Sequence, residues 1–458
     1  MIPFGLLGGF CDHLEIRITG LSEEGFSFRV PKKIEKAACL EICFFDFSAD
    51  CYRKVQLAEK EREMKLTEET PFFFIYSVWT KNGEYREQVK RLVTDYDNYI
   101  SLKLAGDDAY LSEKMVGYPA ELDEVYAESF EEQKKEWFSC IGDGIQECRN
   151  TWEHKKWNIT DLPEFELAIT IDRPELYYDF LQKDWTRFCH DYWKNNFLEH
   201  HTLSKKRVTR IYIGNQFCHN LFPRKELLFQ VLEKALENNL AVTLAFSYIR
   251  NHLLEEIDEL LQELEVWCQS REKEAGKDQE EIIVNDWAMP ILLQGKPHLK
   301  PVLGVLLNKR RKDVRLPYKH GIGNHVDSLA ENNLNCGFYQ DYLKNTFDIQ
   351  RFEFESCGYK VTIPDGHHSL HLPFFQTNTS QYCTLYAVCR YGDRGKQKLT
   401  ENCPRYCNKK VFLYPKHLKM VGRYNSLFGY DEKILWDEKQ LQDYLEQGID
   451  RIVVNVSL

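Results

Sequence analysis

What this chain lacks narrows it first. Basic residues are in deficit: 60 Lys and Arg against 71 Asp and Glu leave a net charge of −11. Such a balance disfavours a nucleic-acid coat protein, whose affinity comes from neutralising phosphates. The local run Lys309, Arg310, Arg311, Lys312 and Arg315 is an exception, and it reads most simply as a solvated loop after a strand. Long apolar runs are missing too. Stretches such as Pro71–Ile75 fall far below the roughly 18 residues that a bilayer span needs, so no membrane association is expected. Met1 to Phe10 is apolar but has neither a basic n-region nor a small-residue cleavage site, and the expected location is the cytoplasm. No Gly-x-Gly-x-x-Gly turn, phosphate loop, His-Glu-x-x-His or Ser-His-Asp arrangement stands out, which removes the commonest nucleotide, zinc-protease and serine-hydrolase readings. There is no internal repeat and no low-complexity segment.

What is present is enough material for real cores. Of 458 residues, 43% are hydrophobic and 14% aromatic, which suits two or three domains. Residues 1–125 read mainly as β. Leu14–Ile18 and Gly25–Val30 alternate on either side of a turn-forming stretch, and Cys39–Phe47, Phe72–Trp79 and Tyr99–Leu104 supply further short strands. This spacing predicts a small antiparallel barrel. Residues 126–162 are polar, charged and tryptophan-bearing, and read as a helical connector. From 163 to 458 apolar strands alternate with helical segments. Candidate strands are Phe165–Ile171, Val208–Ile213, Ala241–Phe246, Glu281–Val284, Pro301–Leu307 and Arg451–Val456, and a core-facing helix runs from Leu253 to Trp267. The alternation predicts an α/β fold: a TIM-like parallel barrel, regular or distorted, with a doubly wound open sheet as the second choice.

Fifteen cysteines in a reducing compartment are free thiols or metal ligands rather than a disulfide framework. Four of them, Cys383, Cys389, Cys403 and Cys407, are spaced C-x5-C-x13-C-x3-C in a polar segment. Thiolates suit iron–sulfur clusters or a structural zinc, and spacing alone leaves both open. Among other candidates, Asp286 and Asn308 follow predicted strands, where an α/β barrel carries its site. Arg394 and Lys396 lie between the cysteine pairs, and Arg423-Tyr424-Asn425 follows them. His367, His368 and His371 are expected to form a polar loop beside a strand, with metal or acid–base roles as the sharper alternative.

Two stretches carry a resemblance. Ile211-Tyr212-Ile213-Gly214-Asn215-Gln216-Phe217-Cys218, followed far downstream by Cys389, Cys403 and Cys407, is similar to the collagenase-like peptidase (U32) family, specifically its iron–sulfur branch of oxygen-independent hydroxylases. Val284–Trp287 and Gly304–Arg310 resemble family members as well. The resemblance implies a 4Fe-4S cluster on Cys218, Cys389, Cys403 and Cys407, with Cys383 as the alternative fourth ligand. It implies a redox enzyme; a U32-type peptidase and a non-catalytic cluster-bearing sensor or assembly factor are the alternatives. Asp286, Asn308 and Arg394 are then the catalytic candidates, and the substrate is RNA, a small molecule or a peptide. The amino-terminal region resembles a divergent PilZ domain, since Ser22 and Gly25 occupy its second motif. Gly20 replaces that motif's acidic or amide residue and no Arg-x-x-x-Arg precedes it, which argues against cyclic dinucleotide binding and for docking of a protein partner.

Overall fold

A computed structural model of the chain describes residues 6–12, 14–35, 37–46, 51–71, 73–105, 134–135, 137–138, 162–275, 280–310, 312, 330–392, 396, 398–400, 402–413 and 419–456. The chain divides into two compact units, 1–122 with 315–328, and 123–314 with 329–458. The expected connector at 126–162 lies outside the described residues apart from Lys134, Lys135, Trp137, Phe138 and Leu162. Among the described residues, no helix is long and apolar enough to cross a membrane.

The first unit is an antiparallel sheet of seven strands: β1 (Leu7–Cys11), β2 (Leu14–Ser22), β3 (Gly25–Val30), β4 (Leu40–Asp46), β5 (Cys51–Leu57), β6 (Arg62–Glu69) and β7 (Phe74–Thr80), ordered β5-β4-β1-β2-β3-β7-β6. Phe28 and Phe44 are fully buried in its core. The Ser22-x-x-Gly25 motif closes the β2–β3 hairpin. Ser22 Oγ donates to Gly25 O at 3.1 Å, and Tyr85 OH reaches both Gly25 O (2.7 Å) and Ser22 O (2.9 Å). A Cβ at Gly25 would lie 1.9 Å from Val78 O, so this glycine is required by the close approach of β7. Tyr85 stands on α1 (Gly83–Ala105), which takes in the stretch 99–104 expected to be a strand. Helical spacing decides against that strand: Tyr85, Val89 and Leu92 are buried on one face, and Tyr96 packs against the same core.

The second unit begins with β8 (Glu166–Ile171), α2 (Pro174–Gln182), α3 (Trp185–Asn195), β9 (Arg210–Gly214), α4 (Lys225–Glu237), β10 (Ala241–Ala245) and α5 (Leu254–Ala275). It continues with β11 (Glu280–Val284), the short α6 (Met289–Leu292), β12 (Leu299–Leu303), α7 (Gly337–Phe347), β13 (Glu353–Glu355) and β14 (His368–Leu372). Then come β15 (Phe374–Thr379), α8 (Thr384–Tyr391), β16 (Phe412–Leu413), β17 (Met420–Arg423), β18 (Ser426–Tyr430), α9 (Glu438–Glu446) and β19 (Ile449–Val454). Eight strands pair in parallel in the order β12-β11-β10-β9-β8-β19-β14-β13. A parallel bridge between Leu303 and Phe352, with Leu303 N donating to Arg351 O at 3.0 Å, brings the two ends of that ladder together. The result is the expected α/β architecture, a nearly closed TIM-like barrel. Its seventh and eighth strands are separated by an insertion that forms a four-stranded antiparallel sheet, β15-β18-β17-β16.

Strand alternation sorts the barrel side chains. Leu167, Ile169, Ile211, Ile213, Leu244, Ile282, Leu370 and Ile452 belong to one large core cluster, which also takes in helix residues such as Tyr177, Leu228 and Leu261. Ala168, Tyr212, Ala245, Ile283, Val302 and Val453, each one residue out of phase, form a separate small cluster inside the barrel. The strand expected at Pro301–Leu307 lies further back, at Leu299–Leu303, and a turn begins at Gly304. The histidine stretch expected as a polar loop contains barrel strand β14, because His368 and Leu370 alternate with Ser369 and His371 across the barrel wall. Arg310 and Lys312 are also not solvated: their side chains are 1% and 7% exposed.

Candidate functional site at the barrel mouth

The barrel interior is unusually polar, and it is built in layers. Toward the N-terminal ends of the strands lies a charged plug. Arg451 bonds Glu281 at 2.6 and 3.0 Å and Glu166 at 2.6 Å. Arg210 bonds Glu166 at 3.0 Å, and Arg351 bonds Asp450 at 2.7 Å. Glu281 shows why these charges survive burial. Desolvation works to raise its pKa, but Arg210, Arg451 and the Thr243 hydroxyl overcome that and hold it down to about 2.

Above the plug, Tyr212 OH donates to Glu353 at 3.1 Å and approaches Ser369 Oγ at 3.3 Å. Glu353 Oε2 lies 2.5 Å from His371 Nε2, with both side chains buried. Glu353 therefore takes a hydrogen bond from Nε2 and orients the ring, so that in the neutral imidazole Nδ1 is the acceptor. The next layer pairs Glu355 with Lys312 at 2.5 Å, and Lys312 also donates to Val305 O and Gln376 Oε1. Burial pulls the Lys312 pKa down, opposed by Glu355.

These layers end in a small pocket of about 30 Å³ at the C-terminal face, lined by Thr170, Asp172, Tyr212, Gln216, Glu355 and His371 among others. Asp172 follows β8 directly. Its Oδ1 is buried with no hydrogen-bond partner.

One wall of the pocket is the loop Gly214–Phe217, which leads straight to Cys218. Asn215 shapes this loop: its Oδ1 accepts from the backbone N–H groups of Phe217 and Cys218, both at 2.9 Å. Gly214 has φ +106°, and a Cβ there would meet Ala245 O at 2.5 Å and the Phe222 ring at 2.7 Å. The Gly of the Ile-Gly-x-x-x-Cys stretch is thus a packing requirement. Phe217 packs edge-on to Phe428 of β18 at 4.9 Å, and Asn408 Nδ2 bonds Glu175 of α2 at 2.6 Å, so the insertion sits against the loop that bears Cys218.

That packing brings thiols together from three separated segments. Burial pushes the Cys218 thiol up to about 12, with Cys407 and Cys403 adding to the rise, while amide donors of Asn220 oppose it. Burial likewise raises Cys383, and Cys218, Cys407 and Cys403 all contribute. Cys407 rises to about 11 by burial, opposed by Arg423. Cys383 caps α8, accepting from Tyr386 N at 3.3 Å, and its thiol donates to Tyr424 O at 3.0 Å. Cys403 Sγ accepts from Arg405 N at 3.4 Å. Cys383 feels the charges of Cys218, Cys403 and Cys407, and Cys389 does not. Cys389 lies within α8, where burial raises its thiol and Lys410 opposes. The four thiols form a loose group: among the described residues no three Cys, His, Asp or Glu side chains are disposed to hold a metal ion. In kind, the donor set still suits a thiolate-bound iron–sulfur group or zinc, with backbone amides already directed at sulfur.

The other expected site residues have more ordinary roles. Asp286 Oδ1 accepts from Ala288 N and Met289 N, both at 3.0 Å, and Oδ2 accepts from Ile249 N, so the carboxylate pins two loops. Asn308 donates to Glu353 O at 3.2 Å, and its Oδ1 is buried without a partner. Arg394 lies outside the described residues. His367 is exposed and bonds Asp450 at 2.9 Å. Arg423 Nε donates to Cys407 O at 3.2 Å beside the thiols, and Asn425 bonds Tyr248 OH and Ser380 O. Compared with known proteins, the chain matches no family model, no curated protein and no solved structure. The residues that sequence reasoning missed are Tyr212, Glu353, Glu355, Arg451 and Asp172. The signal was there in part: Glu353-Phe354-Glu355 has strand alternation with both acids on one face.

Proposed function

We propose that this chain is an iron–sulfur protein that carries a 4Fe-4S cluster on Cys218, Cys383, Cys403 and Cys407, and that it acts as a redox enzyme of the type the collagenase-like peptidase resemblance implies. What supports this reading is that Cys403 and Cys407 lie near enough to both Cys218 and Cys383 to raise their thiols, beside the C-terminal face of a parallel barrel. Catalytic groups of such barrels stand on that face. Cys383 here takes the place that the family resemblance implies for Cys389. A cluster bound there would supply one-electron chemistry. The chain's own part is different: Asn215 and Gly214 set the Cys218 loop, Arg423 offsets negative charge beside Cys407, and the adjoining pocket holds the substrate.

The test is metal and sulfide analysis with an absorption spectrum after purification without oxygen. Wild type and Cys389→Ala should both contain about four irons per chain, as a cysteinyl cluster requires. Cys383→Ala and Cys218→Ala should lose the iron. One zinc and no iron would replace the redox reading with a structural site, and retention of full iron by Cys383→Ala would refute this ligand set.

A further inference from the structure

The polar groups that line the mouth pocket are nearly all spoken for by the protein itself. Glu355 accepts from Lys312 Nζ at 2.5 Å and from Gln376 N at 2.8 Å. Asn455 makes a two-bond pair with the backbone of Phe374, at 3.0 and 2.7 Å. Asn215 is spent on its own loop, Gln216 accepts from Asn285, and Tyr212 is held by Glu353 and Arg451. Gln216 keeps its amide N–H donors, and two acceptors have capacity left. Asp172 is 9% exposed and its Oδ1 is buried with no partner. His371 has one ring nitrogen committed to Glu353, which leaves the other as a lone-pair acceptor.

These two are acceptors, and one is a carboxylate. A buried carboxylate oxygen without a donor is costly, so a ligand that restores the donor gains that energy on binding. The cations inside the barrel do not compete for the role. Lys312 is paired with Glu355, and Arg210, Arg351 and Arg451 are paired with Glu166, Asp450 and Glu281 in the layer below. The ring of Tyr212 adds a wall suited to a cation.

We infer that the mouth pocket is a binding site for a small alkylammonium group, with Asp172 accepting from and balancing the ammonium and His371, oriented by Glu353, accepting a second hydrogen bond. An ammonium offers three donors and one positive charge, which answers two acceptors and one unbalanced carboxylate. The inference rests on the barrel interior alone and does not depend on any metal at the thiols.

Ethanolamine is the probe, titrated calorimetrically into the full-length protein at about pH 8, with ethylene glycol and acetate as neutral and anionic counterparts. Saturable ethanolamine binding is expected. Ethylene glycol should bind at least about tenfold more weakly and acetate not at all, because a charge-assisted bond is roughly twice as strong as a neutral one. Asp172→Asn preserves shape, leaves the fold intact by circular dichroism and should weaken ethanolamine at least about tenfold while leaving ethylene glycol nearly unchanged. Absence of saturable binding would mean that water satisfies Asp172 and would overturn the inference. Equal binding of amine and glycol, or equal binding by Asp172→Asn, would overturn it as well.

Discussion

Acid should weaken this protein through one histidine in particular. His201 is buried, its Nε2 lies 2.7 Å from Leu435 O, and its Nδ1 accepts from Leu203 N at 3.1 Å. The first contact needs a proton on Nε2 and the second needs a bare lone pair on Nδ1, so the ring is locked neutral. Protonation would set an Nδ1–H against the Leu203 N–H inside a core. Burial accordingly holds the His201 pKa down to about 4, against the weaker opposing pull of Leu435 O. In the unfolded chain it returns to about 6.5. The folded value lies below the unfolded one, so the unfolded state binds more protons, and the contribution is complete above pH ~7 and is lost as pH falls through 6.5 toward 4. Linkage over that window gives a loss of about 2 kcal/mol between pH ~7.5 and pH ~5, and about 3 kcal/mol by pH ~4. His219 and His368 are also depressed to about 4 by burial and act in the same direction. The assay must therefore compare wild type with His201→Gln, following urea unfolding by tryptophan fluorescence at several pH values. The variant should be less stable at pH ~7.5, and its further loss on acidification to pH ~5 should be smaller than that of wild type by about 2 kcal/mol. Parallel pH profiles for the two proteins would refute the locked-tautomer argument.

Two other perturbations follow from the barrel. Arg451→Met removes one of the two guanidiniums that serve Glu166 and Glu281 and leaves Arg210 alone beside both carboxylates; a loss of about 3 kcal/mol, the low end for breaking a buried pair, is expected, read as a lower urea midpoint. Gly214→Ala puts a methyl group against Ala245 O and the Phe222 ring at a φ of +106°. It should cost more than about 1 kcal/mol by urea unfolding and, because the same loop bears Cys218, should lower both iron content and ethanolamine binding.

The barrel was legible because its outer wall is simple. Leu167, Ile169 and Ile171, or Ile211 and Ile213, face the surrounding core, and every such strand was visible as an apolar stretch. The strands that escaped notice are those whose inward residues are charged. Glu353–Glu355 and His368–Leu372 look like polar loops until the interior is known to be lined with partners for them. Burial of Arg310 and Lys312 was hidden for the same reason, since Cys357 and Glu355 lie 43 to 47 positions away in sequence. The Tyr99–Leu104 stretch was misjudged because six residues are too few to show a helical period; the period appears only from Tyr85 to Tyr96. Among the thiols, spacing could not separate Cys383 from Cys389. That choice depends on Cys383 being the cap of α8, which turns its sulfur toward Tyr424 while Cys389 lies more than a full turn further along the helix.

The layered charges also explain why chemistry would be confined to one end of the barrel. In the lowest layer three arginines, 210, 351 and 451, meet three carboxylates, Glu166, Glu281 and Asp450. Glu281 lies against both Arg210 and Arg451, so no charge in this layer stands alone. The most buried of these pairs, Arg210 and Arg451 with Glu281, add little net stability, because desolvation offsets most of the attraction, and they are costly to break. They do block the barrel axis to a ligand approaching from the N-terminal side, since entry would mean separating paired charges in a low-dielectric interior. The middle layer, Tyr212, Glu353, Ser369 and His371, is bonded internally except for one imidazole nitrogen. Unmet acceptor capacity among the pocket-lining residues therefore lies at the mouth, on His371 and Asp172. A small polar ligand has one favourable approach, from the face where the Gly214–Cys218 loop carries the pocket wall at one end and a thiol at the other. If the thiols hold a redox group, its nearest protein-bound substrate is whatever Asp172 and His371 retain.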